Sequence, residues 1–231
     1  MIAFNWALSK LILFSLFRAK YGFHVTGQHH LPRRGPCIIA GNHTSFLDPP
    51  VLGTACPRRV TFMARADLFH GLLGWYMRNV GVMPIRRGEG DMSAVRAALS
   101  VLKRGGVIAI FPEGTRQLDG RLGQAKRGVG LLAIAGQAPI VPALITGSHE
   151  ALPPGKTSLQ PSKIRVAFGP PIPYTYGSIG AASALEALDP RSLGHAGSQP
   201  AAAEDTTRRR HELLAAAVTD AWRHLATTTH G

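Results

Sequence analysis

Residues 36–50 read PCIIAGNHTSFLDPP, and the order of residue types in them decides the fold. The apolar run Cys37–Ala40 is short, uncharged and bounded by Pro36 and Gly41, the pattern of a strand buried on both faces. Asn42 opens a turn-rich segment that carries His43. Asp48, followed by Pro49 and Pro50, reads as a helix N-cap with proline in the first turn. A strand, a loop and a helix start thus follow one another within a few residues.

The same alternation recurs downstream. RVTFMA (59–64) is a second strand and LFHGLLGWYMRNV (68–80) a helix. GVMPI (81–85) is a short strand running into Arg86 and Arg87. DMSAVRAALSVLKRGG (91–106) is the clearest helix: Asp91 caps it, Val95, Ala98, Leu99 and Leu102 share one face, and Gly105 and Gly106 end it. VIAIF (107–111), a helix around GVGLLAIAG (128–136), IVPALI (140–145) and KIRVAFG (163–169) complete the series. The expected fold class is α/β, a mostly parallel sheet flanked by helices.

Both ends of the chain differ from this pattern. Ile2–Phe17 is mostly apolar, and as a helix it is roughly 24 Å long at about 1.5 Å per residue, short of a hydrocarbon core of about 30 Å. It lacks a basic leader region and a small-residue cleavage site, which argues against a signal peptide. Phe4, Trp6, Phe14 and Phe17, followed by Arg18 and Lys20, suit a membrane-associating helix lying in the interface; the competing reading is a core helix. From Tyr174 the chain turns rich in Ala, Gly, Ser and Pro, and TTRRRHELLAAAVTDAWRHLA (206–226) is an amphipathic helix with Leu213, Leu214, Ala217, Val218, Ala221 and Leu225 as its apolar side. The expected organisation is an interface helix at 1–22, the main domain at 23–174, a flexible linker at 175–204, and a C-terminal helix and tail at 205–231.

The chain carries 26 Lys and Arg against 13 Asp and Glu, a formal charge of +13. That excess calls for an anionic partner: nucleic acid, an acidic membrane surface or a phosphorylated substrate. The basic residues are scattered, and no helix-turn-helix or RNP signature accompanies them, which counts against nucleic acid. GKT (155–157) fails as a P-loop because Glu150 stands where its first glycine belongs. Adjacent His29 and His30 lack the spacing of zinc ligands, so no metal is expected. Two cysteines, Cys37 and Cys56, make no disulfide framework, and Cys37 reads as a buried small hydrophobe.

Chemistry in an open parallel sheet collects on loops at the strands' carboxyl ends. NHTSFLD, RRGEGD and PEGTR each follow a strand in that way. His43 and Asp48 are five positions apart, too far round a continuous helix to meet, but a loop entering a helix brings them together. Asp48 then fixes the imidazole tautomer and leaves the other nitrogen as a base. On these two residues alone, a solvated histidine beside a plain cap reads equally well. FPEGTR (111–116) adds Glu113 and Arg116 projecting from a rigid turn, with backbone N–H groups around Gly114 and Thr115 as an anion concavity. Arg116 offers a guanidinium fork suited to phosphate. Arg86 and Arg87 point in different directions, so one of them faces the cleft.

Taken together these stretches resemble the glycerolipid acyltransferase family, in its lysophosphatidic acid acyltransferase group. NHTSFLD matches that family's H-x-x-x-x-D signature and FPEGTR its most specific motif. GVMPIRR resembles the intervening glycine–isoleucine–arginine block, with Gly81, Ile85 and Arg87 in the matching places. IVPALI resembles the fourth block, with Pro142 as its proline. The resemblance covers residues 37 to about 148 and leaves the chain after residue 175 unmatched. It implies that His43 deprotonates the acceptor hydroxyl while Asp48 orients it and stabilises its cation. Arg87 and Arg116 would hold the acceptor phosphate, with Arg86 beside them, Glu113 would place the glycerol backbone, and Lys126 would add positive charge. The implied acceptor is a lysophospholipid, the implied donor acyl-CoA or acyl carrier protein, and no cofactor is required. Glycerol 3-phosphate or another lysolipid is the alternative acceptor. The implied setting is the cytoplasmic face of the cell membrane, held peripherally or monotopically against anionic lipid.

Overall fold

The computed structural model describes residues 2–85, 92–176 and 200–229. Among them seven strands form one sheet: β1 (His24–Thr26), β2 (Cys37–Gly41), β3 (Val60–Arg65), β4 (Met83–Ile85), β5 (Val107–Ile110), β6 (Ile140–Thr146) and β7 (Arg165–Phe168). Their order across the sheet is β1-β7-β6-β2-β5-β3-β4. The neighbours β6, β2, β5, β3 and β4 run parallel, as the alternation predicts. At the other edge β7 pairs antiparallel to β6, and β1 runs parallel to β7.

Successive strand residues point to opposite faces of a sheet, and the core divides accordingly. Cys37, Ile39, Val107, Ala109, Val141 and Ala143 face helices α1 (Ile2–Tyr21) and α2 (Asp48–Ala55). Ile38, Ala40, Ile108, Ile140 and Leu144 face α4 (Met92–Lys103), α5 (Gly128–Gly136) and α7 (Pro200–Thr229). Helix α3 (Gly71–Val80) bridges β3 and β4, and the short α6 (Ser148–Ala151) follows β6.

The terminal helices differ most from expectation. The N-terminal helix is not set apart from the domain: Phe17 and Tyr21 are buried in its core, where both rings meet the aromatic cluster at Phe23. Two aromatics one turn apart supply a core edge, while Phe4, Leu8, Leu11 and Ile12 stay exposed on the rest of the helix. At the other end, α7 begins at Pro200, inside the span read as linker, and residues 177–199 lie outside the described residues. Its buried stripe is Leu214, Ala215, Val218 and Trp222, rotated from the expected one, and Leu213 is exposed. The rotation follows from Trp222, whose indole N–H donates to the Ala40 carbonyl at 3.0 Å and draws that face inward. Asp48 starts α2 but does not cap it; Leu47 is the N-cap, and the Asp48 carboxylate is engaged elsewhere.

Candidate active site

Strand β2 lies between β5 and β6, so the loops leaving their carboxyl ends are neighbours. Asn42 leaves β2 first. Its side-chain amide donates to the Ile145 carbonyl at 3.0 Å and accepts from the Ile145 N–H at 2.7 Å, so a side chain continues the β2–β6 ladder where the backbone turns away. His43 follows. Its ring stacks on Phe111 with centroids 4.3 Å apart, and its carbonyl accepts from the Gln117 N–H at 2.8 Å.

The loop 43–47 folds His43 back onto the start of α2, as the spacing predicts. His43 Nδ1 and Asp48 Oδ2 are 2.9 Å apart, with Asp48 wholly buried and His43 reached by solvent. The same Oδ2 accepts the N–H groups of Thr44 at 2.7 Å and Ser45 at 2.8 Å. Oδ1 accepts the Ser148 hydroxyl at 2.5 Å. A buried carboxylate with these donors is held ionised and fixed in direction. Nδ1 is therefore the protonated imidazole nitrogen, and Nε2 is left as the basic one.

Ser148 is the residue that sequence reasoning missed. It is fully buried at the head of α6, a hundred positions from its partner. Its one signal was position: TGSHE follows strand β6 directly, and β6 borders β2.

FPEGTR forms the adjoining wall, with two corrections to its expected roles. Glu113 does not project toward a substrate. It is buried at 2% exposure, and its carboxylate accepts the His43 N–H at 3.3 Å and the Gly123 N–H at 3.2 Å. Burial pushes its carboxyl above the usual range, and those hydrogen bonds partly offset this. Glu113 thus ties the histidine loop to the loop that leads toward Lys126. Nor is the Gly114 N–H offered to an anion: it donates to the Phe111 carbonyl at 3.0 Å and closes the turn, at a φ of 77° that favours glycine. Thr115 is exposed on the rim.

Arg116 keeps its expected role as the cation of the site. Its guanidinium lies 3.6 Å from the centroid of the Phe46 ring, which brings it over the histidine loop. Its Nη1 is buried with no hydrogen-bond partner among the described residues, a donor set for an acceptor from outside the chain. Lys126 joins it from the far side of the turn: its ammonium would lie 2.9 Å from a Cβ placed on Gly114. Lys126 is held there because its N–H donates to the Pro112 carbonyl at 2.8 Å and the neighbouring Ala125 N–H donates to Thr219 of α7 at 3.0 Å. Arg86 and Arg87 lie outside the described residues, directly after β4.

Comparisons with known proteins agree with this arrangement. A chloroplastic 1-acyl-sn-glycerol-3-phosphate acyltransferase of Brassica napus is 32% identical over 163 residues, covering 68% of this chain and 46% of that protein. The 1-acyl-sn-glycerol-3-phosphate acyltransferase of Bacillus subtilis (strain 168) is 29% identical over 153 residues, covering 65% of this chain and 74% of that one. The chain spans about half the length of the first curated relatives it matches, 46% and 44%. The crystal structure of the 1-acyl-sn-glycerophosphate (LPA) acyltransferase from Thermotoga maritima has the same fold, with a TM-score of 0.59 at 24% identity over 91% of this chain and 78% of that one. Residues 22–146, more than half of the 231, match the family model described as Acyltransferase, and the chain belongs to that family.

Proposed function

We propose that this protein transfers an acyl group from an acyl thioester, acyl-CoA or acyl carrier protein, to the free hydroxyl of 1-acylglycerol 3-phosphate, giving phosphatidic acid for phospholipid synthesis. The observation that carries the reading is the His43–Asp48 pair facing a wall that bears the unpartnered Arg116 Nη1. A base and an anion site side by side are what a phosphorylated alcohol needs.

In the proposed reaction His43 Nε2 takes the hydroxyl proton, and the oxygen attacks the thioester carbonyl carbon. Asp48, bonded to Nδ1, stabilises the imidazolium that forms. Collapse of the tetrahedral adduct breaks the C–S bond, and the leaving sulfur takes the proton back from Nε2. Atoms and charge balance without a covalent enzyme intermediate. Arg116, with Lys126 and the Arg86–Arg87 pair, neutralises the acceptor phosphate. We further propose that α1 rests on the cytoplasmic face of the cell membrane, where Arg18 and Lys20 meet anionic headgroups.

The test is release of free CoA from an acyl-CoA, with lysophosphatidic acid and glycerol 3-phosphate offered in parallel to wild type and His43→Ala. Turnover with lysophosphatidic acid that falls about 100-fold or more in the variant is the expected result. Turnover that survives the substitution removes His43 as the base. Turnover with glycerol 3-phosphate alone reassigns the acceptor.

A further inference from the structure

Helix α3 has no assigned part in the site, yet it exposes more apolar surface than a soluble fold explains. Leu72 is 81% exposed, Leu73 57% and Trp75 59%. It packs along α1, where Asn5 Nδ2 donates to Asn79 Oδ1 at 3.4 Å, and on α1 Phe4 is 70% exposed, Leu11 65% and Ile12 57%. Asn79 also donates to the Trp75 carbonyl one turn earlier, which places the Trp75 turn of α3 next to the turn of α3 that meets α1.

Between Ile2 and Phe17 the one charged residue is Lys10, and on α3 it is Arg78. Both are folded inward onto backbone carbonyls. Lys10 Nζ donates to Cys56 O at 2.5 Å, and burial lowers its pKa; Arg78 Nη1 donates to Phe69 O at 2.9 Å. The outward surface is left uncharged, and carboxylates are scarce around it. Residues 1–80 hold nine Lys and Arg but two acids, of which Asp48 is wholly buried and Asp67 is ion-paired with Arg65.

We infer that α3 and α1 form a two-helix surface that docks on an anionic bilayer, with Leu72, Leu73 and Trp75 inserting beside the N-terminal helix. Apolar side chains on a helix that lies in the plane of the membrane enter the boundary of the acyl chains, and surrounding cations add attraction to anionic headgroups. A second copy of the chain is the poorer occupant, because it would set the same cation-rich surroundings against themselves. The inference extends the proposed membrane contact of α1 and shares that premise.

Flotation with vesicles of phosphatidylcholine, with and without phosphatidylglycerol, tests it on the full chain. One variant carries Leu72→Ser, Leu73→Ser and Trp75→Ser, another Phe4→Ser, Leu11→Ser and Ile12→Ser. All six positions are exposed, and unchanged circular dichroism verifies the fold. The α3 variant is expected to lose about tenfold or more of its partitioning into anionic vesicles. It should still release CoA with a short-chain acceptor free in solution, which separates docking from acyl transfer. In Trp6→Phe, brominated lipid is expected to quench Trp75, since the other remaining tryptophan, Trp222, is buried. Wild-type partitioning by the α3 variant with Trp75 unquenched overturns the α3 surface, and if the α1 variant alone fails to float, the role of α1 stands without it. No flotation of the wild type overturns both. A lipid-independent dimer that the α3 substitutions abolish replaces the bilayer with a second copy.

Discussion

Asp48 divides its two oxygens between local and distant partners. Oδ2 is satisfied by three groups from residues 43–45, whereas Oδ1 relies on Ser148. Ser148→Ala leaves that oxygen buried without its donor, at a cost of about 1–3 kcal/mol. The carboxylate is then free to rotate, and the base it orients is displaced. Turnover of Ser148→Ala is expected to fall about tenfold to 100-fold with the acceptor KM little changed, measured by thiol release under saturating acceptor. A matched loss in KM would instead place Ser148 in acceptor binding. The sequence made His43 and Asp48 legible because their partnership is local, five residues within one loop. Ser148 was not legible, because only the pairing of β2 with β6 brings it there.

Among the elements, α7 shows how much an amphipathic pattern leaves open. Its existence and sidedness were legible, but the face it buries was not, since helical periodicity alone does not say which of two adjacent stripes holds the anchor. Trp222 decides it by filling the core over β2 and bonding Ala40. Trp222→Ala is expected to lose about 3–5 kcal/mol of stability, read by denaturant unfolding. A second effect follows from Thr219, one turn before Trp222, which holds the Ala125 N–H and so the loop carrying Lys126. The C-terminal helix, without a motif of its own, thus supports the wall of the site. The N-terminal helix was read as one of two alternatives and is partly each, because its aromatic residues are divided between core and solvent.

At the scale of the whole molecule, the parallel sheet was readable from strand–helix alternation, whereas the reversed edge formed by β7 and β1 was not. A strand's residue pattern records which faces are buried and not which way the chain runs. The cysteines met expectation: both are buried, and burial pushes Cys37 up to about 12, so neither thiol is poised to react while the fold is closed. Glu113 affects global stability through pH. Burial raises its carboxyl in the folded state, so the folded chain binds that proton more tightly than the unfolded one. Its contribution is fully present below the ordinary carboxylate range and is lost as pH rises toward the raised value. Unfolding free energy of wild type is therefore expected to decline across that interval relative to Glu113→Gln, in denaturant titrations at a series of pH values. Parallel curves for the two proteins would refute the assignment.

Asn42 carries one last consequence. Because its amide takes the place of a backbone link between β2 and β6, the catalytic histidine hangs from a joint as stiff as the ladder beneath it. Such a joint has no separate fraying mode. The loop that holds the base opens when the central sheet opens, so heat inactivation and melting of this enzyme are one event rather than two.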